Sequence, residues 1–93
     1  ALPIYLFYRS LVQAGVSQGL NKEQAAKLAS QTIIGGMEML RVSGKSPDEL
    51  IAAVSSKGGT TLAALDSFAK DDFSGSVERA VAAAVQRAKE LSE

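Results

Sequence analysis

Ninety-three residues are enough for one domain and too few for a nucleotide-binding domain with a substrate domain beside it. Ten basic and ten acidic side chains cancel, and Lys22, Lys27, Arg41, Lys45, Lys57, Lys70, Arg79, Arg87 and Lys89 are scattered among acids, which argues against nucleic-acid binding. Cysteine and histidine are both absent, which excludes disulfides, thiolate nucleophiles, zinc–thiolate sites, imidazole ligands and Ser-His-Asp arrangements within the chain.

Chemistry carried by these residues alone is left to lysine, carboxylates, tyrosine or hydroxyls. A monomer of this mass buries roughly 64% of its extended surface, a modest core that association would enlarge. The longest apolar run, Ile4 to Tyr8, is far short of the ~20 residues a bilayer requires, and no signal-peptide pattern opens the chain. A start on Ala1-Leu2-Pro3 without an initiator methionine reads as a piece of a longer polypeptide. The lack of cysteine fits a reducing compartment and is compatible with any other.

A first helix is predicted from Pro3 to Gly19, with Pro3 tolerated in its first turn. Ile4, Tyr5, Leu6, Phe7, Tyr8, Leu11, Val12 and Val16 cover nearly its whole circumference, and Arg9 is its single charge. A helix apolar all round expects neighbours on every side, here another domain or another subunit. The β-branched and aromatic residues of Ile4 to Tyr8 make a strand the competing local reading.

Gly19-Leu20-Asn21 breaks the chain. Asn21 is placed as an N-cap, Gln24 completes a capping box, and Leu20 stands where a hydrophobic staple begins. The second helix should run to about Val42, with Ala25, Leu28, Ala29, Thr32, Ile33, Gly36, Met37 and Leu40 forming one buried stripe. Gly35 and Gly36 in mid-helix cost about 1 kcal/mol each against alanine, which a close helix–helix approach would offset. Ser46-Pro47-Asp48-Glu49 then opens a short third helix, with Leu50, Ile51 and Val54 inward.

The stretch Ser55-Ser56-Lys57-Gly58-Gly59-Thr60-Thr61 follows. Thr60 or Thr61 is expected to cap a fourth helix whose inner face carries Leu62, Leu65 and Phe68 or Ala69, ending near Asp71-Asp72. Phe73-Ser74-Gly75 reads as a connector, and Ser76 to Leu91 as a last helix with Val77, Ala80, Val81, Ala84, Val85, Ala88 and Leu91 on one face. Its alanines fit either a plain high-propensity helix or a thin surface that admits a partner helix closely. The class is all-α.

Ligand chemistry has one candidate position. Adjacent glycines permit a tight turn and close backbone approach, and the first N–H groups of the helix after them have no intrahelical acceptor, an arrangement suited to a carboxylate or phosphate. Taken alone, the Gly58-Gly59-Thr60-Thr61 turn reads as an ordinary turn and N-cap before it reads as a binding site. It is not a P-loop, because the Gly-Lys-Ser/Thr order and preceding strand are missing. Lys57 reads as a solvated charge, Tyr5 and Tyr8 as core or interface aromatics, and Met37 and Met39 as packing. Asp71-Asp72 have no third ligand nearby in sequence, so no metal is expected.

Ala14-Gly15-Val16, Gly19-Leu20, Gln31-Thr32, Gly35-Gly36, Ser46-Pro47 with Leu50, and Val54-Ser55-Ser56-x-Gly58-Gly59-Thr60-Thr61, taken in this order, resemble the C-terminal helical dimerisation domain of the pyrroline-5-carboxylate reductases. Phe73, Ala80-Val81, Ala84, Arg87 and Leu91 continue the likeness, which spans nearly the whole chain.

The resemblance implies a compact domain of about five helices, similar to the C-terminal domain of 6-phosphogluconate dehydrogenases, that interlocks with a second copy as a homodimer. It also implies a cytoplasmic enzyme that reduces 1-pyrroline-5-carboxylate to L-proline, the last step of proline biosynthesis. NAD(P)H would be held mainly by an N-terminal Rossmann domain outside residues 1–93, leaving no cofactor expected on this chain and the isolated chain inactive.

Carried over by position, Ser56 and the amides of Gly59, Thr60 and Thr61 would grip the substrate carboxylate, with Gly58 serving the turn. The Thr61 hydroxyl would lie near the ring nitrogen, orienting it or relaying a proton. Two departures stand out: Leu2-Pro3-Ile4-Tyr5 replaces the family's Gly-Pro-Ala-Tyr, and Lys57 replaces a common proline. The rival reading is a purely structural helical dimerisation module. A small-anion carrier is a third.

Overall fold

Backbone hydrogen bonding settles the opening segment as helix. In a computed structural model that describes residues 1–55 and 59–92, α1 spans Leu2–Ser17, with a proline in the first turn where its missing N–H costs nothing. The amides of Ile4 and Tyr5 both donate to the carbonyl of Ala1 at 3.1 Å, so helical bonding begins at once and the strand alternative is not taken up. Four more helices follow: α2 Lys22–Ser43, α3 Pro47–Val54, α4 Thr60–Lys70 and α5 Phe73–Ser92. No strand occurs among the described residues, so the all-α expectation holds.

The chain divides after Leu50 into two units. In the first, α1 and α2 form a helical hairpin. Its turn is a Schellman motif: Leu20 N–H donates to the Gly15 carbonyl and Gly19 N–H to that of Val16, each at 3.1 Å, while Gly19 takes a φ of 108°. Asn21 then caps α2 as the sequence predicts. Its Oδ1 accepts from Gln24 N–H at 2.8 Å, and Gln24 Oε1 accepts from Asn21 N–H at 3.2 Å. Gly44, with φ 70°, ends α2. Ser46 and Glu49 repeat the box at α3: Ser46 Oγ accepts from Glu49 N–H at 3.1 Å, and Glu49 Oε1 from Ser46 N–H at 2.9 Å.

The hairpin closes on small residues. Ala25 and Ala29 are 2% and 4% exposed and are the buried residues of the described chain. A β-carbon placed on Gly15 would lie 3.0 Å from Ala25 Cβ and 3.4 Å from Leu20 Cδ1, so glycine here permits the approach and Leu20 sits at the staple position. Beside this crossing the two helices leave a groove of about 350 Å³ whose walls include Gly15, Ala25, Leu11, Leu28 and Thr32.

In the second unit α4 and α5 are joined by Asp71-Asp72 alone, so Phe73-Ser74-Gly75 is the first turn of α5 and not the connector the sequence predicts. The correction has a backbone cause. Asp72 adopts φ 51°, a conformation that aspartate tolerates better than most residues, and its carbonyl accepts the Ser76 N–H at 2.9 Å. Phe68 and Phe73 meet across the joint with ring centroids 4.8 Å apart, tilted by 47°. Asp72 Oδ2 and Arg79 Nη1 pair at 3.0 Å one helical stretch further on.

Several expected inner faces are not enclosed. Ile51 and Val54 of α3, Leu62, Leu65 and Phe68 of α4, and Val77, Val81, Val85 and Leu91 of α5 are exposed, as are Leu28 and Met37 of the α2 stripe. Nor does anything lie within 4 Å of a β-carbon built on Gly35 or Gly36. Helical periodicity marks which side of a helix avoids water, without saying which molecule provides the cover. Large apolar surfaces left open in this way mark interaction sites.

Candidate functional site

Three of the five candidate residues fall among the described residues: Gly59, Thr60 and Thr61. Ser56 and Gly58, with Lys57, lie outside them. Gly59 is the N-cap of α4 and has φ 76°, left-handed backbone that suits glycine. Thr60 is therefore the first helical residue, and neither threonine is the cap, which corrects the sequence expectation. The cap makes no side-chain hydrogen bond. A left-handed cap turns the chain sharply into the helix, and it does so through a residue that carries no side-chain acceptor.

The electrostatics of this helix start differ from those of α2 and α3. Glu23 lies in the first turn of α2, and Asp48 and Glu49 in that of α3, where negative charge complements the positive end of the helix dipole. The first turn of α4 carries no acid. Its first helical bond runs from Ala63 N–H to the Gly59 carbonyl at 2.9 Å, so the amides of Thr60, Thr61 and Leu62 precede any intrahelical acceptor. Thr60 is exposed and Thr61 half-buried. Ser55, just before the turn, is committed elsewhere: its hydroxyl donates to the Ile51 carbonyl at 2.6 Å and closes α3.

Several other polar groups pair with one another along the helices. Glu38 and Arg41 pair on α2, and the carboxylate raises the guanidinium pKa further. Ser46 holds the Glu49 carboxyl below its ordinary value by donating its backbone N–H, and by its hydroxyl. Asp66 and Lys70 pair at 3.2 Å on α4. Among the described residues no group of three acidic, histidine or cysteine side chains gathers where a metal ion could be held. Asp71 and Asp72 do not act together, since Asp72 turns to Arg79.

Sequence reasoning missed Asp72 as the residue that launches α5. The signal was present in an Asp followed by a phenylalanine-led helical run. Tyr5 is strongly exposed and Tyr8 half-buried, so neither is a core residue of the chain alone, and Met37 and Met39 are open to solvent.

The model for the family described as pyrroline-5-carboxylate reductase dimerisation matches residues 3–91. The chain belongs to this family. The pyrroline-5-carboxylate reductase of Pisum sativum is 44% identical over 89 residues, which cover 96% of this chain and 33% of the relative. That of Arabidopsis thaliana is 41% identical over 90 residues, covering 97% of this chain and 33% of the relative, and that of Corynebacterium melassecola 41% over 91 residues, covering 96% and 34%. The chain thus spans about a third of the length of the curated relatives it matches. Membership in a dimerisation family accords with the open apolar faces of both units, and no described helix is long and apolar enough to cross a membrane.

Proposed function

We propose that this chain is the dimerisation and substrate-carboxylate-binding domain of a cytoplasmic pyrroline-5-carboxylate reductase, which reduces 1-pyrroline-5-carboxylate to L-proline. The observation that carries the site is the start of α4: a left-handed Gly59 followed by a first turn without acids, inside the segment the dimerisation family matches. A substrate carboxylate at that turn would complement the helix dipole and accept the amides of Thr60 and Thr61. Each charge-assisted bond is worth about 1.5–3 kcal/mol. Gly58 and Gly59 would let the carboxylate approach the backbone, and Ser56 would add a hydroxyl donor.

The reaction adds a hydride to the imine carbon and a proton to the ring nitrogen, which becomes a secondary amine. Thr61 would orient that nitrogen through its hydroxyl. Free hydroxyls are weak acids, so relay from water is its role in proton traffic and not sole donation. The hydride comes from NAD(P)H. The sequence has no Gly-x-Gly-x-x-Gly fingerprint, and no strand exists among the described residues. That cofactor would be held mainly by an N-terminal Rossmann domain of the full-length polypeptide.

The test is Thr61→Ala in the full-length protein. It should raise KM or lower kcat while sedimentation shows the homodimer intact. Unchanged kinetics would favour a purely structural module.

A further inference from the structure

α3 ends by an exchange of hydrogen bonds at Ser55. The Ser55 N–H donates to the Ala52 carbonyl at 3.2 Å, three residues back, instead of continuing the helical ladder to Ile51. The Ile51 carbonyl, left open by that shift, accepts the Ser55 hydroxyl at 2.6 Å. Alanine is the better helix former, and a hydroxyl bonded four residues back bends a helix and weakens it slightly. Support for α3 is therefore a poor account of this bond. Its effect is to turn the chain, since the side chain holds the acceptor that the amide would need to extend the helix.

Ser55 is half-buried, and four residue steps of at most about 3.6 Å each lead from it to Gly59, the left-handed cap of α4. So short a tether carries a change of direction at one end to the other. Gly59 brings no side-chain hydrogen bond of its own to the cap. We propose that Ser55 is a positioning residue for the reaction. Its hydroxyl, by occupying the Ile51 carbonyl, stops α3 at Val54 and aims the chain so that the Thr60 and Thr61 amides face the substrate carboxylate. This rests on the reading of the α4 start as the carboxylate site, and Ser55 acts on that site through the turn.

Kinetics of variants in the full-length protein test the assignment. Ser55→Ala frees the Ile51 carbonyl for the amide of residue 55, which lets α3 run on. KM for 1-pyrroline-5-carboxylate should rise about fivefold, the worth of one net hydrogen bond, with kcat and the KM for NAD(P)H close to parental. The thermal midpoint should not fall, because alanine favours the helix. Ser55→Val and Ser55→Thr match in shape and differ by the hydroxyl, and threonine can bond the same carbonyl. Valine should reproduce the alanine defect, and threonine should restore the parental KM.

Parental KM in both Ser55→Ala and Ser55→Val, beside a defect in Thr61→Ala, would overturn the role of Ser55 and leave the carboxylate site standing. Parental kinetics in Thr61→Ala as well would overturn both. A lowered midpoint with parental KM would mark the bond as structural only, and a threonine variant as impaired as valine would remove the hydroxyl as the cause; either overturns the proposal. Should Ser55→Ala fail to fold, the valine and threonine pair decides.

Discussion

Gly15 and Ala25 set the distance between α1 and α2: a methyl group on the first would come within 3.0 Å of the methyl of the second. Few real Cβ contacts are that tight, so the absence of one atom lets the hairpin close to this spacing. Gly15→Leu is expected to lower stability by about 2 kcal/mol or more through overpacking, read as a fall in the urea midpoint at constant m-value. Gly15→Ala should fall between, because alanine's better helix propensity of about 1 kcal/mol works against the crowding.

The two capping boxes should respond alike. Asn21→Ala and Ser46→Ala each remove an acceptor for the N–H three residues on, and each is expected to cost about 1 kcal/mol by chemical denaturation. Ser46→Gly should cost only a few tenths.

Glu49 carries a pH signature. Its carboxyl is held below the ordinary 4.5 by the backbone and hydroxyl of Ser46. A depressed folded-state pKa means that the stabilisation is present above the unfolded value and disappears as pH falls through the folded one. Denaturation midpoints should therefore decline as pH drops below about 4.5, and Glu49→Gln, which keeps a side-chain acceptor, should flatten the part of that decline owed to this residue. An equal slope in the variant would remove the assignment.

Asp72 has a left-handed backbone, and its carboxylate fills the space beside Gly75, where a β-carbon would come within 2.2 Å of Oδ2. Asp72→Val should cost about 1–2 kcal/mol, the penalty of that backbone for a branched residue, whereas Asp72→Gly should relieve it. The ion pair with Arg79 is solvent-exposed and contributes little, so Arg79→Ala should change stability by about 0–1 kcal/mol.

Gly59→Val places a β-branched side chain at φ 76°. It is expected to raise KM in the full-length enzyme more than it lowers thermal stability. Residues 1–93 alone should show no NAD(P)H oxidation with 1-pyrroline-5-carboxylate; turnover by the isolated chain would contradict the proposed two-domain site.

Helix identity was legible wherever a local rule decided it. Asn21-x-x-Gln24 and Ser46-Pro47-x-Glu49 announce their caps in the chain itself, and both form as read. The start of α4 was misread because threonine is a favoured cap, whereas the left-handed turn of Gly59 takes the position first. The start of α5 was misread because serine and glycine in Phe73-Ser74-Gly75 resemble a loop, and the deciding feature was one backbone angle at Asp72. The spacing from Ala25 to Leu40 predicts a single buried face, yet only Ala25 and Ala29 of it are buried. Periodicity carries no information about where a neighbouring helix stops. At the candidate site the sequence indicated the double-glycine turn, and the missing acid in the first turn of α4 gained its meaning only beside Glu23 and Asp48 in the helices before it.

With Ala25 and Ala29 the buried residues of the described chain, pairing as proposed would tie the folding of these helices to association by mass action. Tenfold dilution of such a system costs about 1.4 kcal/mol per association step. The amount of this polypeptide that a cell makes would then help set its lifetime, and mixed pairs from two alleles would form only by passing through a state that proteases recognise.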